Sequence, residues 1–170
     1  MIVFPSREKY IKENFFELSF KEKKPDFEKF KSLNSIEMHY LVEIFNWDDG
    51  TEILNWIIDS DKCDSGTALM IFWRSSPDYY LGKDRIEEYD IDIFKLLEKI
   101  IQKFKLKNFK KSKIKYSPAE DFDTECYVNE IEKWNLSQEM LKPTGGFSPI
   151  YVGTLLKFLK KRLKKSRKRK

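Results

Sequence analysis

Three times between residues 34 and 73, a residue able to cap a helix stands ahead of apolar side chains that recur at three- and four-residue spacings. Asn34 with Glu37 three positions on has the form of a capping box, and Met38, Leu41 and Phe45 follow on one face. Asp49 with Glu52 repeats the device before Ile53, Leu54, Ile57 and Ile58. Asp64 precedes a third run, with Ala68 and Phe72 on one stripe and Leu69 and Trp73 beside it. Strands alternate every second residue, so these spacings predict short helices that bury one side against each other.

The flanking sequence reads the same way with less force. Ser6 is placed to cap a helix carrying Ile11, Phe15 and Leu18, and Asp26 a short one carrying Phe27, Phe30 and Leu33. The longest helix is expected from about Asp84 to Phe104, where Ile93, Phe94, Leu97, Ile100, Ile101 and Phe104 keep the 3.6-residue period. Seven lysines between Lys103 and Lys115 then suggest a solvated, irregular or briefly extended stretch that Pro118 ends. A modest helix is expected over Glu125 to Trp134, and LKPTGGFSP has linker chemistry. Beyond it Ser148 and Pro149 form a helix start, with Val152, Leu155, Leu156, Leu159 and Leu163 on one side. The expected fold is all-α, a single domain of stacked antiparallel helices, either HEAT-like or an irregular bundle, with a basic amphipathic helix at the C-terminal end. Its parts are a helical leader over residues 1–35, a main helical domain over 36–147, and the basic helix and tail over 148–170.

A chain of 170 residues with 41% hydrophobic side chains has enough apolar surface for one core. It has no apolar run near the roughly 20 residues that cross a bilayer, and MIVFPSREKY does not read as a leader peptide. A cytoplasmic protein is the expectation. Cys63, Cys126 and His39 stand apart, without metal-ligand spacing, so no cofactor, metal site or disulfide is expected. His39 has no nucleophile motif to serve, and a half-buried or surface imidazole is expected.

The formal charge of +5 hides two opposite parts. Lys157 to Lys170 contain ten Lys or Arg and no acid, which leaves 23 basic and 28 acidic groups in residues 1–156. The body is mildly acidic and the tail strongly cationic. Lys160, Lys161, Arg162, Lys164, Lys165, Arg167, Lys168, Arg169 and Lys170 are the candidate polyanion-binding residues, for nucleic acid or an anionic membrane.

The densest motif is NWDDG, Asn46 to Gly50, followed by Cys63-Asp64 and Trp73. Asp48, Asp49 and Asp64 could form a carboxylate cluster for acid and base work or for a hard cation. The structural alternative is that Asp49 and Asp64 cap helices and Asp48 accepts backbone donors in the same turn, with Gly50 and Gly66 allowing close approach. Trp47, Trp56 and Trp73 are either a stacking set or core and ridge residues. Trp47, Asp48, Asp49, Asp64 and Trp73 are the candidate binding residues.

The run MHYLVEIFNWDDGTEILNWIIDSDKCDSGTALMIFW, the later KNFKKSKIKYSPAED and the closing LKPTGG resemble a bacterial family of unknown function catalogued as four-two-seven-four. The matching positions are Asn46, Trp47, Asp48, Asp49, Gly50, Cys63, Asp64, Gly66, Thr67, Ala68, Leu69, Phe72 and Trp73, and the resemblance covers about residues 36 to 147. It departs at Phe45, where the family has a polar position. The resemblance implies a small all-helical cytosolic protein, of a kind found in bacterial loci of toxins and their immunity proteins; it implies no chemistry. The expected function is protein binding without enzymatic activity, as an immunity-type protein that occludes a toxin's active site. Polyanion binding by the tail is the second reading, and a hydrolase built on Asp48, Asp49 and Asp64 the third.

Overall fold

The computed structural model describes residues 1–81, 86–121 and 134–167, with side chains to residue 162. Strand β1 (Ile2–Val3) leads into helices α1 (Pro5–Phe15), α2 (Phe27–Lys31), α3 (Ser35–Glu43), α4 (Glu52–Asp59), α5 (Ser65–Arg74), α6 (Pro77–Tyr80) and α7 (Ile91–Lys105). Strand β2 (Ile150–Tyr151) and helix α8 (Val152–Arg167) close the described chain. The chain is mostly helical, as its periodicity predicts, and it adds a two-stranded parallel sheet that periodicity did not predict.

Helices α3 and α5 form the centre. Residues 35–42 of α3 and 65–73 of α5 are all buried, so neither helix keeps a polar face. Helix α1 packs on α3, α3 on α5, and α5 on α4 and α7. The Asn34 capping box is present in full: Asn34 Oδ1 accepts the N–H groups of Ile36 and Glu37, and Glu37 Oε2 accepts the Asn34 N–H. Arg7 of α1 makes a fork onto the same Glu37 carboxylate, which ties the cap to the neighbouring helix. Asp26 caps α2 through the Lys29 N–H, as its position suggests.

Several boundaries differ from expectation. Ser6 lies inside α1, which starts at Pro5 behind an uncapped Phe4; proline suits the first helical position because its φ is already helical and it has no N–H to leave unpaired. Helix α7 starts at Ile91 instead of near Asp84, because Glu88–Asp90 form a separate 3-10 turn. Its buried side also includes Leu96. The helix expected over Glu125 to Trp134 and the Cys126 thiol lie outside the described residues, save Trp134, which is buried in a turn.

The end of the chain is attached to its beginning. Ile2 and Val3 register with Ile150 and Tyr151, so Ser148 and Pro149 precede a strand and the helix starts three residues later than predicted. Tyr151 packs on Tyr40 at 4.7 Å between ring centroids. Buried Glu8 accepts from Tyr40 Oη–H (3.3 Å), the Gly153 N–H and Thr154 Oγ1–H (3.1 Å). Burial, then the Glu8 charge, pushes the Tyr40 hydroxyl up to about 12, so it remains a donor across the physiological range. The LKPTGGFSP segment therefore leads into a docked strand. Ending the chain after Phe147 strands Glu8 without two of its donors, and urea unfolding is expected to show a loss on the order of 3 kcal/mol. A chain ended after Leu156 keeps these contacts and is expected within 1 kcal/mol of the parent; equal stability of the two shortened chains would refute the docking role.

Candidate functional site

The NWDDG corner is built by Asn46, whose side-chain oxygen accepts the Asp48 N–H at 3.3 Å and closes the 3-10 turn Trp47–Asp49. Gly50 continues it at φ 76°, a left-handed backbone that glycine adopts without strain; a Cβ there would meet no neighbour, so the expected close approach is not its role. Asp49 does not cap α4. Thr51 occupies that position without a side-chain bond, while Asp49 accepts the N–H groups of Leu18 and Ser19 (3.0 and 2.9 Å) and the Ser19 hydroxyl (2.6 Å). The turn places this carboxylate before the helix and beside the chain that leaves α1. Asp48 is exposed, and among the described residues its bond in this turn is its own N–H donating to Asn46 Oδ1, in place of the backbone donors its carboxylate was expected to accept.

Asp64 does cap α5, through the Gly66 N–H at 3.0 Å, and does more. The same carboxylate, 1% exposed, accepts the Lys113 N–H at 2.8 Å and the Ile114 N–H at 3.2 Å. The lysine-rich segment is thus held edge-on against the start of α5. Gly66 permits it: a Cβ there would lie 2.3 Å from the Ile114 carbonyl oxygen. On the far side Thr144 Oγ1 accepts the Tyr116 N–H and donates to the Ile114 carbonyl, both at 2.8 Å. Gly146, at φ 118°, comes as close to Lys113. Composition concealed this clamp, because the Lys113 and Lys115 side chains are exposed while alternate residues Ile114 and Tyr116 are buried.

Trp73 is a core residue, 1% exposed, whose indole N–H donates to the Met140 carbonyl at 3.0 Å. Trp56 packs between Phe27 and Phe30, and Trp47 sits at the surface against Phe45. The five candidate residues are therefore divided between core and surface. Asp49 and Asp64 hold different segments, and among the described residues no three His, Cys, Asp or Glu side chains are grouped to hold a metal. His39 is more buried than predicted, with Nδ1 at 3.0 Å from Thr67 Oγ1. Burial, then the Arg74 charge, lowers it to about 4, so it is neutral at pH 7. Burial pushes the Cys63 thiol up to about 12, where it holds its proton.

What these residues leave open is a cleft of about 790 Å³ between the NWDDG corner, α6 and the start of α7. Trp47 and Thr51 form one side, Tyr79, Tyr80 and Tyr89 another, and Asp78, Asp90 and Asp92 supply negative charge. Tyr79 and Tyr80 meet edge to face at 4.9 Å, and Tyr89 is 78% exposed. Arg74, which also lines the cleft, is paired with Glu43 (3.3 Å) and Asp121 (2.8 Å), so the charge of the described lining residues is acidic. Sequence reasoning found Trp47 here and missed the tyrosines, which no motif marks.

Residues 34–105 match the family model of a domain of unknown function, DUF4274. Over that segment the chain is similar to DUF4274 domains. It begins at the Asn34 capping box and ends with α7, so the DUF4274 match contains the central helices and the cleft. It stops before the clamped lysine segment and LKPTGG, where the resemblance had been expected to continue to about residue 147. No curated protein and no solved structure matches the chain. No helix among the described residues is long and apolar enough to cross a membrane.

Proposed function

We propose that this protein is a protein-binding module whose recognition face is the acidic, aromatic cleft of the DUF4274-like segment. The observation that carries the reading is the exposed set Trp47, Tyr79 and Tyr89 beside Asp78 and Asp92. Tyrosine and tryptophan give large contact area for little loss of side-chain freedom, and carboxylates beside them attract a cationic partner and set its orientation. An immunity-type protein that occludes the active cleft of a basic, nuclease-like bacterial toxin in the cytoplasm is the specific form of this reading, supported by the acidic balance of residues 1–156. What favours binding over hydrolysis by Asp48, Asp49 and Asp64 is that Asp49 and Asp64 direct their oxygens to backbone donors.

The test is to capture partners from the native host with the full chain, and to measure the affinity of each purified partner for the parent and for Tyr79→Ala/Tyr89→Ala. The double variant is expected to keep its stability and lose about a hundredfold in affinity, about tenfold for each aromatic contact. A partner bound equally by both proteins would place recognition elsewhere.

A further inference from the structure

We infer that the two ends of the chain together form a peripheral binding surface for anionic membranes. Helix α8 begins against the body at Gly153 and Thr154, which both donate to Glu8. At about 100° of rotation per residue, Val152, Leu155, Leu156 and Leu159 share one arc, and Gly153 and Thr154 lie outside it. The attachment to the body therefore uses the other side of the helix. Leu155, Leu156 and Leu159 are 48%, 46% and 44% exposed, and Phe158 beside them 58%. Lys157 and Lys161 project from the side opposite the leucines and Lys160 flanks the apolar arc beside Leu156, all three exposed.

A second set of exposed apolar groups lies at the root of this helix. Strands β1 and β2 place Ile2 and Ile150 side by side in register, with Met1 bonded to the Ile150 N–H. Ile2 and Ile150 both face outward, while their neighbours Val3 and Tyr151 turn toward the core. Met1 and Phe4 are exposed beside them. Apolar side chains concentrated at one end of a charged protein mark a surface that is covered in use.

Charge decides what covers it. Ten cations and no acids between Lys157 and Lys170 would repel the same segment of a second copy. Nucleic acid would satisfy the cations and leave the leucines and phenylalanine in water. An anionic bilayer accepts both, taking the apolar arc at the boundary between headgroups and acyl chains while lysines and arginines stay at the phosphates. A helix of 16 residues, about 24 Å long, lies along the interface without crossing it.

The test uses the full chain with vesicles of phosphatidylglycerol and phosphatidylcholine, vesicles of phosphatidylcholine alone, and duplex DNA. The parent is expected to bind only the anionic vesicles strongly, and to release them as salt rises. Leu155→Ser/Leu156→Ser/Leu159→Ser, which keeps every cation, is expected to lose at least tenfold in vesicle affinity without change in DNA affinity or in the circular dichroism of the body. Lys160→Glu/Lys161→Glu is expected to lose the preference for anionic over neutral vesicles. Absence of vesicle binding by the parent, equal vesicle binding by the leucine variant, or a leucine-dependent dimer in place of vesicle binding would each overturn the proposal.

Discussion

Replacing Asp64 with alanine is expected to cost on the order of 4 kcal/mol in equilibrium urea unfolding, about four times the effect of losing an ordinary helix cap. A cap alone would account for the Gly66 N–H. The larger effect arises because Asp64 also holds Lys113 and Ile114, so the substitution leaves three backbone donors in a region where the carboxylate was 1% exposed. Each unsatisfied buried donor costs about 1–3 kcal/mol. Asp64→Asn should fall roughly halfway, because one amide oxygen can still serve Gly66 and Ile114 while the amide nitrogen faces the Lys113 N–H, donor against donor. Gly66→Ala attacks the same contact from the other side, since its methyl group would have to displace the Ile114 carbonyl. A loss below 1 kcal/mol for Asp64→Ala would mean that the lysine segment is not held by this carboxylate.

Stability should also fall by about 3 kcal/mol through His39 alone as the pH is lowered from 6.5 to 4. The folded imidazole sits at about 4 because burial, followed by the Arg74 charge, opposes protonation, while the unfolded chain has the ordinary value near 6.5. Between those values the unfolded state binds a proton that the folded state refuses, so stability rises with pH across this window and the destabilisation is complete below about pH 4. The full span of about 2.5 units corresponds to about 3 kcal/mol. Carboxylates titrate in the same range, so the informative quantity is the difference between the parent and His39→Asn. The amide can keep a hydrogen bond to Thr67 Oγ1 and has no proton to gain. The variant's stability curve should be flatter by that amount; identical slopes from pH 6.5 to 4.5 would exclude His39 as the source.

Local signals in the sequence determined the starts of three helices. Asp26, Asn34 and Asp64 stand where their side chains reach the first free N–H groups of α2, α3 and α5, and a cap is a contact over two or three residues. The apolar spacings likewise specified helices and most of the core side of α7. Asp49 shows where such reasoning stops. Its position before Glu52 had the form of a cap, but Leu18 and Ser19, some 30 positions away, offer it three donors, and proximity of that kind is invisible in a local pattern.

Tertiary structure also decided that α3 and α5 are enclosed on every side, that His39 is neutral, and that tyrosines from α6 and the turn before α7 meet Trp47 across one cleft. It alone joined Ile150 and Tyr151 to Ile2 and Val3, nearly 150 positions apart in the sequence. Strands that short carry no readable period, and their pairing is set by the core on which Val3 and Tyr151 pack. Charge and apolar periodicity of the tail are properties of its own residues and were legible at once; the direction in which its leucines point depends on Glu8, 145 positions away from Gly153.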